Sequence, residues 1–218
     1  MPPPTATIRR HVSVPLRFAD GYTTPARVFT FDGLVDGHEN VAIALGDRAA
    51  AVTRPAAVTS NGRGPLPLVR LHSECLTGDV FGSERCDCGA QLREAVERIA
   101  DCGGWLLYLR QEGRGIGLYA KLDAYALQDA GLDTYEANLA LGHREDERSY
   151  LVAAQMLRAL GVSRIALLSN NPDKARQLRR FGVSVSERVP TAVHLSNANA
   201  RYLATKARRG EHTLDLLG

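Results

Sequence analysis

The 218-residue sequence predicts a mixed α/β fold: one domain with a mixed sheet, antiparallel strands in its N-terminal half, and alternating helix and strand in its C-terminal half. Three observations predict it. Apolar Val12, Val14, Leu16 and Phe18 alternate with polar neighbours, the period of a half-buried strand. Beyond residue 90, segments with helical spacing alternate with short apolar runs suited to buried strands. No internal repeat, low-complexity segment or linker divides the chain. A loose tail is expected over residues 1–10, which hold three prolines, and a catalytic domain over 11–218.

In chain order, HVSVPLRF (11–18) reads as a strand, ADGY (19–22) as a turn, and ARVFTF (26–31) as the returning strand of a hairpin. VAIALGD (41–47) and LPLVRLHS (66–73) are further strands, separated by a glycine- and proline-marked loop, NGRGP (61–65). AQLREAVERIA (90–100) carries Leu92, Val96 and Ile99 at helical spacing, and WLLYLRQ (105–111) is a buried strand. GLYAKLDAYALQDAG (117–131) and DERSYLVAAQMLRALG (146–161) read as helices stopped by glycine. RIALLSNN (164–171) is a strand, PDKARQLRRFG (172–182) a short helix, VSVSERV (183–189) a last strand, and NARYLATKARRGEH (199–212) a surface helix.

Composition narrows the function. A hydrophobic fraction of 44% and a charged fraction of 23% are those of a globular protein, not a disordered one. Aromatics at 6% are too few for a platform that stacks single-stranded nucleic acid, and a net charge of +3 without a dense basic run does not suggest nucleic-acid binding. Only three lysines occur, Lys121, Lys174 and Lys206, so each is a position of interest. MPPPTATIRRHVSV lacks the apolar core of a secretory signal, and no stretch approaches a membrane span. A cytoplasmic, reducing location is expected, where disulfides are rare and clustered cysteines bind metal or do redox work.

CLTGDVFGSERCDCG (75–89) gathers three of the four cysteines. A disulfide staple, a closed structural zinc site and an open catalytic zinc site are the alternatives. Cys75, Cys86 and Cys88 follow a C-x10-C-x-C spacing without the paired knuckles of a closed site, and Cys102 lies beyond a predicted helix. Three protein ligands plus one open position match a catalytic zinc, which lowers the pKa of water from 15.7 to about 7. His72 and Glu74 form the His-x-Glu of zinc nucleobase deaminases, but RCDCG replaces the Pro-Cys-x-x-Cys those enzymes need. His72 is equally readable as a hydrogen-bonded structural histidine.

Two segments have the chemistry to meet a polar or anionic ligand. Gly113, Gly115 and Gly117 fail the dinucleotide fingerprint because Leu118 holds its third position, leaving either a tight turn or a loop that brings Glu112 and Arg114 to a ligand. In LLSNNPDK, Asn171 suits a helix cap and Pro172 the first helical position, with Ser169 and Lys174 beside them. A phosphate site and a capped surface turn both fit. Asp146 and Arg148 stand two residues apart at the start of a predicted helix, where an acid is expected for dipole reasons and an arginine is not.

RLHSECLTGD, RCDCG.QL, RQEGRGIGL, AYALQDAG.DT.EAN, DER and NNP.K, spread from Val69 to Val189, together closely resemble the GTP cyclohydrolase II family. The resemblance implies zinc ligands at Cys75, Cys86 and Cys88. It implies a GTP site formed by Arg70, Leu71, His72, Ser73, Glu74, Gln91, Glu112, Gly113, Arg114, Thr134, Ser169 and Lys174; the family more often has threonine where Ser169 stands. Asp146 would be the proton acceptor, Arg148 the residue proposed as nucleophile toward the α-phosphate, and Tyr125 a participant in ring opening. It further implies magnesium on the triphosphate, a homodimer, and no nucleic-acid or membrane partner. The implied reaction opens the guanine imidazole ring of GTP, releases formate and pyrophosphate, and begins riboflavin synthesis. Two other readings are weighed beside it. A family paralogue would stop at a formamidopyrimidine or serve another pathway. A zinc-containing nucleic-acid-binding module would need a fourth ligand and a basic face.

Overall fold

The computed structural model describes residues 5–50, 66–144, 146–192 and 194. Its elements begin with β1 (Thr7–Ser13), β2 (Leu16–Arg17), β3 (Thr23–Thr24), β4 (Ala26–Asp32), β5 (Val41–Leu45) and α1 (Asp47–Ala50). There follow β6 (Leu68–Ser73), α2 (Leu76–Asp79), α3 (Cys88–Cys102), β7 (Gly104–Leu109) and a 3-10 turn over Glu112–Gly115. The chain continues through α4 (Leu118–Asp129), α5 (Thr134–Ala140), α6 (Leu151–Ala159), β8 (Arg164–Leu168), α7 (Pro172–Arg180) and β9 (Ser184–Val189). The fold is mixed α/β, as the sequence predicts.

Seven of these strands form one sheet in the order β1-β4-β5-β7-β6-β8-β9. Pairing is antiparallel from β1 to β7 and parallel among β7, β6, β8 and β9. The antiparallel N-terminal half therefore ends before β6, which joins the parallel half. Five of its six residues are buried, as a strand covered on both faces requires. Side chains alternate across it: Val69 and Leu71 enter the cluster built with α6 and α7, while Leu68 enters the one built with α3. In α6 the six consecutive residues Val152–Leu157 are all buried. Burying each large aliphatic side chain among them contributes about 1.5–3 kcal/mol.

The N-terminal strand differs from its expected form in two ways. β1 starts at Thr7, inside the stretch read as a tail, and all seven of its residues are exposed at the edge of the sheet. Its pairing with β4 carries on through the bond from Val14 N to the Ala26 carbonyl, and Pro15 then has no N–H to continue it. Leu16 and Phe18 instead pack against the α3 cluster beside the short β2–β3 hairpin, which closes over the expected turn at 19–22.

The expected helix at 146–161 begins only at Leu151. Upstream, Arg148 N donates to Asp146 Oδ1 and Tyr150 N to Gln177 Oε1, so side chains hold the backbone out of the helix. Asp146 and Arg148 thus precede the helix and do not occupy its first turn. The 61–65 loop and the 199–212 helix lie outside the described residues.

The parallel strands all end on one edge of the sheet. The chain leaves β6 toward α3 on one face and leaves β8 toward α7 on the other. Such a divergence opens a crevice beyond the strand ends, where α/β proteins bind ligands.

Candidate active site

The chain turns out of β6 at Ser73 and Glu74 and reaches Cys75 at the entrance to α2. Asp79, at the far end of α2, folds back. Its carboxylate accepts from Cys75 N at 3.1 Å, from the Tyr108 hydroxyl at 2.9 Å, and lies 3.0 Å from His72 Nε2. His72 is buried and stacks on Tyr108 with ring centroids 5.5 Å apart. Burial lowers its pKa, with Asp79 opposing. It is hydrogen-bonded and buried, and through Asp79 it braces the turn that presents Cys75.

Cys86 precedes α3 and Cys88 opens it. The three sulfurs lie within 4.8 Å of one another, with Cys75 and Cys86 3.7 Å apart. Gly78 makes this approach possible. A Cβ there would stand 2.7 Å from Cys86 Sγ and 3.1 Å from Cys75 Sγ, and one on Gly89 would stand 2.5 Å from the Gly78 carbonyl oxygen. Hydrogen bonds from Cys86 and Cys88, followed by the charge of Lys121, lower the pKa of Cys75 strongly. Cys86, facing that sulfur, is pushed up to about 11. This cluster can hold a metal ion.

Beyond β7 the chain enters EGRG. Gly113 and Arg114 both adopt left-handed backbone, φ 63° and 65°, and Arg114 is the one non-glycine with positive φ among the described residues. That conformation costs roughly 1–2 kcal/mol for an L-residue. The Glu112 carboxylate holds the turn, accepting from Leu76 N at 2.7 Å, Gly113 N at 2.9 Å and Lys121 Nζ at 2.8 Å. Glu147 N donates to the Arg114 carbonyl, and a Cβ on Gly115 would stand 3.3 Å from Arg148 N. The glycines thus serve a tight turn that also brings the 146–148 segment against the loop.

Arg148 is gripped by Asp146, with Nε 2.9 Å from Oδ1 and Nη2 2.5 Å from Oδ2, a two-pronged pair. Burial works against the charge on Asp146, but the Arg148 hydrogen bond and charge outweigh it and keep its pKa below the usual value.

These parts line one open cleft. Of the residues singled out in the sequence, Ser73, Glu74, the three cysteines, Glu112, Gly113, Arg114, Tyr125, Thr134 and Arg148 line it. Arg70, Leu71, His72, Gln91, Ser169 and Lys174 are buried and do not line it. Arg70 donates to the Leu168 carbonyl and to Gln91 Oε1, and Gln91 donates to Asp87 beside the cysteines. The Asn171 side chain caps α7 by accepting from Asp173 N. Ser169 Oγ accepts from Asn171 N, and Lys174 Nζ donates to the Leu71 carbonyl at 2.7 Å. The NNP turn is thus capped, and its lysine reaches the backbone of β6.

Sequence reasoning noted Lys121 for its rarity but gave it no role, and it missed Asp79, Gly78 and Asn138. Asn138 had a signal: Asp133 and Glu136 form a reciprocal capping box, with Glu136 N on Asp133 Oδ1 and Asp133 N on Glu136 Oε2. That box starts α5, which brings Thr134 and Asn138 to the cleft.

A three-cysteine cluster on one wall of a cleft, set at the carboxyl ends of parallel strands, defines an α/β enzyme with a candidate metal centre. The family model described as GTP cyclohydrolase II matches residues 10–190, and the chain belongs to that family. It is 50% identical over 191 residues to GTP cyclohydrolase-2 of Vibrio cholerae, covering 88% of this chain and 90% of that protein. The corresponding protein of Psychromonas ingrahamii is 44% identical over 201 residues, 92% of this chain and 94% of the relative. Riboflavin biosynthesis protein RibBA of Bacillus subtilis is 48% identical over 211 residues, 96% of this chain but 49% of that longer protein. Among the described residues no helix is long and apolar enough to cross a membrane.

Proposed function

We propose that the protein hydrolyses GTP, opening the guanine imidazole ring with release of formate and pyrophosphate. The product would be 2,5-diamino-6-ribosylamino-4(3H)-pyrimidinone 5′-phosphate, the first intermediate of riboflavin synthesis. The observation that carries this reading is the placing of Cys75, Cys86 and Cys88 in the same cleft as Glu112, Tyr125, Thr134 and Arg148.

The cysteines fit zinc. Thiolates 2.3 Å from a tetrahedral zinc lie about 3.8 Å apart, and the Cys75–Cys86 separation is 3.7 Å. When bound, zinc supplies Lewis acidity and a nucleophilic water at neutral pH. The chain's own residues do the rest. Burial raises the Tyr125 pKa to about 12, so at neutral pH its phenol is a hydrogen-bond donor to the base and not an anion. Asp146, ionised and pinned to Arg148, is the proton acceptor. Arg148, held as an oriented fork, and Arg114, displayed on its turn, face the charge of the triphosphate, whose remaining oxygens take magnesium. Arg70 and Gln91 support the cysteine turn from behind, while Ser169 and Lys174 steady the strand ends beneath the substrate. We further propose a cytoplasmic homodimer.

The test is product analysis by mass spectrometry after incubation with GTP, zinc and magnesium. The expected result is the deformylated diaminopyrimidine monophosphate together with free formate and pyrophosphate. A product that keeps the formyl carbon would make the protein a paralogue that stops at the formamidopyrimidine. Unchanged GTP would refute the reading.

A further inference from the structure

Lys121 projects from α4 into the interior, where it is only 8% exposed. All three protons of its ammonium have acceptors: Glu112 Oε1 at 2.8 Å, Thr77 Oγ1 at 3.0 Å and Cys75 Sγ at 3.2 Å. Gly113 leaves room for its stem, since a Cβ there would stand 3.0 Å from Lys121 Cβ. A buried pair with Glu112 would explain a lysine here but would not require the contact with sulfur. The charge balance of the cluster does. Three thiolates around a divalent ion leave a net charge of −1 in a half-buried pocket, and such a charge is costly to bury without a partner.

We propose that Lys121 is a positioning residue of the metal centre, its ammonium neutralising the loaded three-thiolate site and fixing Cys75 for ligation. This rests on the reading of the triad as a metal site. Glu112 then has two tasks. It aims the ammonium at Cys75, and through Leu76 N and Gly113 N it ties the metal turn to the EGRG loop. The metal wall and the loop are consequently assembled as one unit around a single buried cation.

The test compares wild-type protein with Lys121→Met and with Lys121→Met/Glu112→Gln, each stripped of metal and shown by circular dichroism to be folded. Zinc affinity is measured by competition with a chromogenic chelator, and the thiolate-to-cobalt charge-transfer band is recorded after loading with cobalt(II). The double variant removes both charges of the pair, so it avoids leaving Glu112 buried and unpaired. Both variants should bind zinc about 10–100-fold more weakly, the usual effect of losing a group that orients a ligand, and both should shift the cobalt band. If the double variant recovers wild-type affinity and spectrum, Lys121 merely neutralises Glu112 and the proposal is wrong. Wild-type affinity in the single variant overturns it as well. Failure of the wild-type protein to take up zinc would instead bring down the underlying metal-site reading, a result visible before any variant is compared.

Discussion

Cys86→Ser should abolish formate release while pyrophosphate and GMP still form. A serine hydroxyl stays protonated at neutral pH and is a poor ligand for a thiolate-binding metal, so one of three anchors is lost. Ring opening should fall by about 10³-fold or more, the scale on which removing an acting catalytic group is felt. Nothing about pyrophosphate release needs a soft metal. It wants magnesium, fixed positive charge and an in-line geometry, and those residues stand on the EGRG loop and the 146–148 segment. Formate and pyrophosphate would be followed in parallel, with circular dichroism as the check on folding. Loss of both products together in a folded variant would show that the steps are coupled through the metal and would contradict this division of labour.

Arg148→Ala is the complementary case and should suppress pyrophosphate release by about 10²–10³-fold, the range for removing one aimed electrostatic group. The expected role is electrostatic and not covalent. The Nε–Nη2 edge of the guanidinium is occupied by the Asp146 carboxylate, at 2.9 and 2.5 Å, and a charged guanidinium has no free lone pair. The pair instead orients the side chain, the geometry the proposed contact with phosphoryl oxygens requires. Rapid quenching with GTP labelled in its α-phosphate discriminates the two roles. No label should remain on the protein, and label trapped on the wild-type chain but absent from Arg148→Ala would establish the covalent route.

The site was most legible where its parts are contiguous in sequence. Cys75, Cys86 and Cys88 are separated by one short excursion, and the structure brings their sulfurs together. The cap at Asn171 was legible for the same reason, because it is made two residues away. Lys121 was not, because its partners come from α2 and the turn after β7, and only the fold brings those elements to α4. Gly78 carried no signal in the sequence, because the crowding of two sulfurs around it exists only in the fold. For the strands, periodicity located β4 to β9 well but misjudged β1, since alternation reports a pleated backbone and says nothing of whether another layer covers it. The 146–150 segment carried helical spacing, yet Asp146 and Gln177 side chains take its amides, a competition that periodicity does not register.

The central claim is that three cysteines hold one metal ion and leave a position open for chemistry. Cys102, the fourth cysteine, is exposed at the far end of α3 from Cys88. Fourteen residue steps separate them, roughly 21 Å along the helix axis. The most direct measurement is the zinc-to-chain ratio of purified wild-type and Cys102→Ser protein by elemental analysis. The account predicts one zinc per chain in both. Loss of zinc from Cys102→Ser would give the site a fourth protein ligand and contradict the open position.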